Sequence, residues 1–180
     1  YFVEVVIMTE FFRKYRLLIF MFLLWAFAGS YLGTIGAIIL SVGSFLLLTK
    51  RSDSGQLLVA LLMILVFSDS RSQMFQFAVQ AKVFFALIAL FFVLARWKNI
   101  ASGSKLIFSF FLPFLIYSML LFPFANDSFD AFQKTFSYGI IFLVVPMLFG
   151  LACREDYKFP MELVAFFFII IAVGISLRFV

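Results

Sequence analysis

Histidine is absent from the 180-residue chain, and Cys153 is its only cysteine. A protein with one cysteine forms no internal disulfide and offers no cysteine framework for a metal. The lack of histidine removes the usual general base, the usual metal ligand and the usual pH-sensitive group from this stretch of sequence. We therefore predict no metal site and no cofactor.

Charged residues are also scarce: they make up 13% of the chain, whereas 66% of it is apolar and 21% aromatic. A soluble domain of this composition would lack the polar residues needed to cover its surface. The apolar runs show no alternation of polar and apolar residues, which the strands of a membrane β-barrel require. The composition thus predicts an all-α protein, a polytopic transmembrane helix bundle.

Seven apolar runs predict seven membrane spans, since a bilayer core of about 30 Å takes about 20 helical residues. The run Leu17–Leu48 is too long for one crossing, so Gly29–Gly33 is expected to divide it into a helical hairpin. One long tilted helix is the alternative. Loops are predicted at Phe124–Gln133 and Arg154–Phe159, and a kink at Pro113. The predicted spans are residues 16–28, 32–49, 56–67, 74–95, 106–122, 135–152 and 161–177.

Lysine and arginine are distributed unevenly between alternate loops. With the N-terminus in the cytoplasm, ten of the 14 lie on the cytoplasmic side, three lie on the opposite side, and Lys82 lies within a span. This asymmetry follows the positive-inside rule and predicts a cytoplasmic N-terminus. It also accounts for the net charge of +5, so no nucleic-acid partner is predicted. The ten cytoplasmic residues are Arg13, Lys14, Arg16, Lys50, Arg51, Arg96, Lys98, Lys105, Arg154 and Lys158.

The two ends of the sequence bear on where the protein itself begins and ends. The chain begins at Tyr1, and Met8 precedes a basic segment, so we expect either a truncated start or translation from Met8. The last apolar run stops at Val180 without a polar tail. We expect residues 1–180 to form one membrane domain, as the N-terminal part of a longer polytopic protein.

The segment around Lys82 most needs explaining. Leu57–Phe67 rises only about 16 Å as a helix, so the polar residues 68–72 fall near or inside the membrane boundary. Lys82 follows in an apolar run, where a lysine costs a few kcal/mol unless it snorkels, pairs or lines a wet cavity. Two interpretations stay open: Lys82 pairs with Asp69 or snorkels, or it binds an anion. Its predicted helix stripe comprises Phe75, Ala78, Val79, Lys82, Ala86 and Ala89.

Arginine at the outer boundary is suited to bidentate binding of phosphate or pyrophosphate, and Arg71 lies there. The alternative is a boundary arginine paired with Asp69. Asp127 and Asp130 are three residues apart in an outer loop, where they are either a general acid/base pair or ordinary solvated charges. Lys134 is interpreted as an interface anchor and Cys153 as a filler residue.

Four motifs stand out: LVFSDSR at 65–71, followed by Phe77, Ala78 and Lys82; FLPF at 111–114; FQKTFSY at 132–138; and FLVVP at 142–146. Together they resemble the early spans of bacterial O-antigen ligase and O-antigen polymerase-type membrane proteins. The likeness covers roughly residues 10–160.

This resemblance implies a multispanning glycosyltransferase of the bacterial inner membrane, in lipopolysaccharide or polysaccharide biosynthesis. Such an enzyme moves a glycan from undecaprenyl pyrophosphate to lipid A core or to another glycan on the periplasmic side, without a nucleotide sugar or a metal. The family's catalytic arginines and histidine lie around a large periplasmic loop that this sequence lacks, so we expect this stretch alone to be inactive. Arg71 and Lys82 would bind the donor pyrophosphate, with Asp69 in support.

Two other classes remain. A flippase or exporter subunit would use the interrupted third helix and Lys82 to line a substrate path. In a non-catalytic membrane scaffold, Lys82 and Asp69 would only hold helices together. A matching pair of interrupted spans elsewhere in the protein would favour transport, and a long periplasmic loop with arginine and histidine would favour the transferase.

Overall fold

The computed structural model describes residues 2–51, 53–68, 73–100, 102–124 and 127–176. Across these ranges the chain forms seven α-helices and no strand, which confirms the predicted all-α fold and the number of helices. The helices are α1 (Phe2–Tyr31), α2 (Gly33–Arg51), α3 (Ser54–Ser68), α4 (Phe77–Ala95), α5 (Ser102–Leu121), α6 (Ser128–Glu155) and α7 (Phe159–Ser176). Short 3₁₀ turns occupy Gln73–Phe75, Trp97–Asn99 and Phe122–Phe124.

Among the described residues, four helical segments are long and apolar enough to cross a membrane. Shorter apolar helical segments occur at Ser54–Ser68 and Phe159–Phe168. The crossing of all seven helices and the cytoplasmic N-terminus stay predictions. The four long segments are Gly33–Arg51, Gln73–Ala95, Ser102–Leu121 and Thr135–Glu155.

The turn between α1 and α2 confirms that the first apolar run is divided. Leu32 is not helical, and Gly33 follows with a φ of 67°, a conformation that glycine adopts without steric cost. The backbone N–H of Leu32 donates to the carbonyl of Ala28 at 2.9 Å and closes the last turn of α1. A single long helix through this run is therefore excluded.

Several predicted helix ends are wrong in the same direction. α1 contains the basic residues 13–16 and does not begin at Arg16; α5 begins at Ser102 and α7 at Phe159, before the predicted spans. α6 begins at Ser128, so Asp130 lies in a helix and not in a loop. Charged and polar residues are compatible with a helix, and proline is tolerated in its first turn, so the backbone hydrogen bonds continue past the apolar run.

α3 is the central helix of the bundle. Eleven of its fifteen residues are buried, and it packs against α4, α6 and α7. Fifteen residues rise about 22 Å, which is less than a bilayer core. α3 begins two residues before the predicted span and ends one residue after it, at Ser68, so the short third helix of the sequence is confirmed.

α5 lies at the edge of the bundle and packs chiefly against α6. Most of its large side chains are exposed, which suits a helix that faces lipid. The most exposed of them are Leu106, Phe110, Phe114, Tyr117 and Leu120.

The bundle has two chemically different ends. At one end, a Cβ atom on Gly29 would lie 1.8 Å from the carbonyl oxygen of Met74, so the α1–α2 turn contacts the start of the α4 segment. We call this the Lys82 end. At the other end, called the Lys14 end, Lys14 of α1 meets the turn between α6 and α7 at Asp156.

Candidate functional site

Lys82 lies in the second turn of α4, five residues after Phe77. Its side chain is half-buried, and its Nζ atom lies 5.8 Å from the centroid of the Tyr138 ring on α6, within cation–π distance. No hydrogen bond or salt bridge joins this ammonium group to another described residue. A cation in an apolar helix thus has a ring beside it but no anion among the residues that the structure describes.

The predicted stripe on α4 is correct for its small residues and wrong at one position. Ala78, Ala86 and Ala89 are fully buried, so neighbouring helices approach this face closely. Val79 is 48% exposed. It follows Ala78 by one residue, and a rotation of about 100° carries it out of the buried face. Lys82 therefore lies near the edge of that face.

A cavity of about 310 Å³ adjoins Lys82 and is formed by α3, α4 and α6. Its walls are mostly apolar, and the hydroxyl groups of Ser68 and Tyr138 are the other polar side-chain groups among its lining residues. We call it the Lys82 cavity. Its lining residues are Leu65, Val66, Ser68, Lys82, Tyr138, Ile141 and Phe142.

An aromatic layer fixes the helices that carry this cavity. Phe67, at the end of α3, stacks on Phe75 with the ring centroids 4.4 Å apart. Phe22 of α1 contacts both rings, at 5.3 Å from Phe67 and 6.3 Å from Phe75. Such pairs contribute about 0.5–1.5 kcal/mol each beyond burial. They hold the end of α3 against the start of the α4 segment, which positions Ser68 and Lys82.

A second space, of about 320 Å³, lies between α5 and α6, and we call it the α5–α6 groove. It shares Tyr138 and Phe142 with the Lys82 cavity. The side chain of Leu115 reaches the surface of Gly139, where a Cβ atom would lie 2.2 Å from its Cδ1. Because glycine has no side chain, Leu115 packs directly on Gly139, and α5 and α6 approach each other closely along the groove.

Among the other predicted site residues that the structure describes, none lines the Lys82 cavity. Asp69 and Arg71 lie outside the described residues, so their predicted role stays a prediction. Asp127 is exposed directly before α6, where its carbonyl accepts the Ala131 N–H at 3.0 Å. Asp130 follows in the first turn of α6. Cys153, interpreted as a filler residue, is partly buried near the other end of the same helix.

A cluster of ion pairs at the Lys14 end was not predicted. Lys14 Nζ lies 2.6 Å from carboxylate oxygens of both Asp156 and Glu162, and the Tyr15 hydroxyl donates to Glu162. The hydrogen bond from Lys14, and then the backbone N–H of Lys158, hold the pKa of Asp156 below its ordinary value. The cluster connects α1 to α7 and to the turn before it.

Glu155 organises the second half of this cluster. Its carboxylate accepts hydrogen bonds from Arg96 Nη1 and from the backbone N–H and hydroxyl of Ser54, each at 2.9 Å. The ends of α3, α4 and α6 are thereby held together. The available sequence signal was the concentration of charged residues at 50–54, 96–99 and 154–158, which the positive-inside rule assigns to one side of the membrane.

Comparison with known proteins adds no relative. No protein-family model matches the chain, and neither a curated protein nor a solved structure shows significant similarity to it. What the described residues define is a helical protein with four helices long and apolar enough to cross a membrane.

Proposed function

We propose that this chain belongs to a membrane glycan transferase of the O-antigen ligase or polymerase type. The enzyme takes its glycan from a polyprenyl-pyrophosphate carrier on the periplasmic side of the bacterial inner membrane. One observation carries the proposal: Lys82 borders a cavity among three helices without an anion from the described residues beside it. An ammonium group beside a mostly apolar cavity loses part of its hydration, a cost that a bound phosphate would offset.

In this proposal Lys82 and Arg71 bind and orient the donor, and Asp69 supports Arg71. Lysine provides a compact point charge, whereas arginine provides a planar fork that matches two phosphate oxygens. Fixed cations stabilise the charge that develops on the pyrophosphate as it leaves the glycan, most strongly in a site with little water. The Tyr138 ring, 5.8 Å from the ammonium, holds Lys82 beside the cavity.

Glycan transfer in membranes that contain Lys82→Met tests this function. We expect transfer to be abolished, because methionine removes the cation that holds the donor phosphate while it keeps most of the length of the lysine and an unbranched apolar stem. Lys82→Arg keeps the charge and should retain part of the activity. The matched control is Lys98→Met, which removes an exposed lysine at the Lys14 end and should leave transfer unchanged. Normal transfer by Lys82→Met, at an equal amount of protein, would contradict the proposal.

A transport function is the second candidate, because α3 is buried and too short to cross a bilayer core by itself. Interrupted helices of this kind line substrate paths in transporters. Vesicles that contain the protein and a polyprenyl-linked glycan distinguish the two functions. Movement of the intact lipid-linked glycan to the other leaflet favours transport, and a new glycosidic bond favours the transferase.

A further inference from the structure

The α5–α6 groove has a polarity gradient along its length. Ser118 and Thr135 line it toward the Phe122–Phe124 turn. Phe111 lies seven residues before Ser118, and Phe142 lies seven residues after Thr135, so both rings line the groove about 10 Å from the hydroxyl groups. Their rings stack with centroids 4.7 Å apart. The groove therefore has hydroxyl groups toward the end of the bundle and aromatic rings toward its middle.

Lys82 adds a positive charge beside this gradient. Tyr138 and Phe142 belong to both spaces, so the Lys82 cavity and the groove meet across one turn of α6. Lys82 lies nine residues after Gln73, about 13 Å along the helical segment, and a lysine side chain extends its charge toward the headgroup region. Its ammonium group is thus within reach of the level of lipid phosphates.

We propose that the groove and the Lys82 cavity together bind one anionic glycerophospholipid from the surrounding bilayer. Its phosphate lies at Lys82, its polar headgroup lies at Ser118 and Thr135, and one acyl chain lies along Phe111 and Phe142. Charge complementarity carries this assignment, because the ammonium group has no anionic partner among the described residues. A phospholipid is preferred over a scarce carrier lipid because it surrounds the groove at high concentration, and occupancy follows mass action.

The lipid site does not depend on the glycan-transfer proposal, but the two share one cation. A resident phospholipid and a pyrophosphate-linked donor would compete for Lys82. Donor binding would then require displacement of the lipid, and added anionic phospholipid would raise the donor concentration needed for half-maximal transfer.

Native mass spectrometry of the detergent-purified and delipidated protein tests the lipid site. Phosphatidylglycerol, phosphatidylethanolamine and a polyprenyl monophosphate are added separately. We expect phosphatidylglycerol to bind about fivefold more tightly than phosphatidylethanolamine, the contribution of one lysine near an anionic lipid. Lys82→Met should remove this preference, and Lys82→Arg should keep it.

A second pair of variants tests the groove itself. Ser118→Leu fills the groove and should weaken the binding of both phospholipids. The matched control is Ser109→Leu on the same helix: Ser109 is exposed, and nine residues place it on the opposite face of α5. If Ser118→Leu does not fold, as judged by circular dichroism and gel filtration, Thr135→Leu fills the groove from the other wall.

Three results would overturn the lipid site. They are equal binding of the two phospholipids to the unmodified protein, equal behaviour of the groove and control variants, and binding of polyprenyl phosphate without binding of phosphatidylglycerol. Loss of glycan transfer in Lys82→Met with none of the predicted lipid effects would support the transferase and reject the lipid site. The reverse pattern would support the lipid site and reject the transferase.

Discussion

Lys14 Nζ lies 2.6 Å from Oδ2 of Asp156, although 142 residues separate the two in the sequence. The same ammonium group contacts Glu162 on α7 at the same distance. α1 is thereby tied both to α7 and to the turn that precedes it. These contacts hold the first and last described helices together at the end of the bundle opposite Lys82.

The ion pair between Lys14 and Glu162 should contribute measurably to stability. Their side chains are 31% and 21% exposed, so solvent screening is partial. We expect a coupling free energy of about 1 kcal/mol, near the upper end for ion pairs at protein surfaces. A double-mutant cycle of Lys14→Met and Glu162→Gln, with unfolding measured in micelles, gives this quantity. Lys50→Met removes an exposed lysine and serves as the control; a coupling near zero would contradict the prediction.

Asp156 should make the stability depend on pH in the acid range. Its pKa is lower in the folded protein than in the unfolded chain, because Lys14 donates a hydrogen bond to it and the Lys158 N–H donates another. The stabilisation is therefore complete above the unfolded pKa and is lost as the pH falls through the folded pKa. The difference in unfolding free energy between the unmodified protein and Asp156→Asn should be constant above about pH 5 and shrink below about pH 4. A difference that does not shrink as the pH falls below about 4 would show another cause.

The fold was largely predictable because each apolar run corresponds to a helix. The break at Gly33 could be predicted as well, since the run was too long for one crossing and glycine tolerates a positive φ. The helix ends could not. Hydropathy reports which residues suit lipid, whereas a helix continues until its backbone hydrogen bonds are interrupted. α6 therefore includes Ser128 and Asp130, which precede the apolar run.

The candidate site was predictable only in part, for a similar reason. Lys82 attracts attention because one charge in an apolar helix is costly, and the structure adds Tyr138, which no local pattern connects to it. Glu155 pairs with Arg96 across 59 residues, and such a pairing depends on the packing of helices. The sequence assigned both residues to the same side of the membrane but contained no information on which charges meet.

Gly29 should tolerate no side chain. A Cβ atom there would lie 1.8 Å from the carbonyl oxygen of Met74 and 3.1 Å from the ring of Phe77, and the backbone oxygen cannot rotate away. We expect Gly29→Ala to cost about 1–3 kcal/mol of unfolding free energy, as is usual for overpacking. Gly43→Ala is the matched control: apart from its chain neighbours and the backbone of its own helix, no described atom lies within 4 Å of its Cβ position, so alanine should stabilise α2 by about 0.5–1 kcal/mol. Thermal unfolding of both variants measures the difference, and equal effects would contradict the close contact.

The orientation of the bundle can be tested at two exposed positions. Lys98 lies in the turn after α4, and Phe124, 85% exposed, lies in the turn after α5. If the basic loops face the cytoplasm, a membrane-impermeant maleimide should label Phe124→Cys in intact bacteria and Lys98→Cys only after lysis. Cys153→Ser removes the native thiol from both variants. The opposite labelling would place the Lys82 end in the cytoplasm, and a contact between Lys82 and an exported lipid-linked glycan would then be impossible.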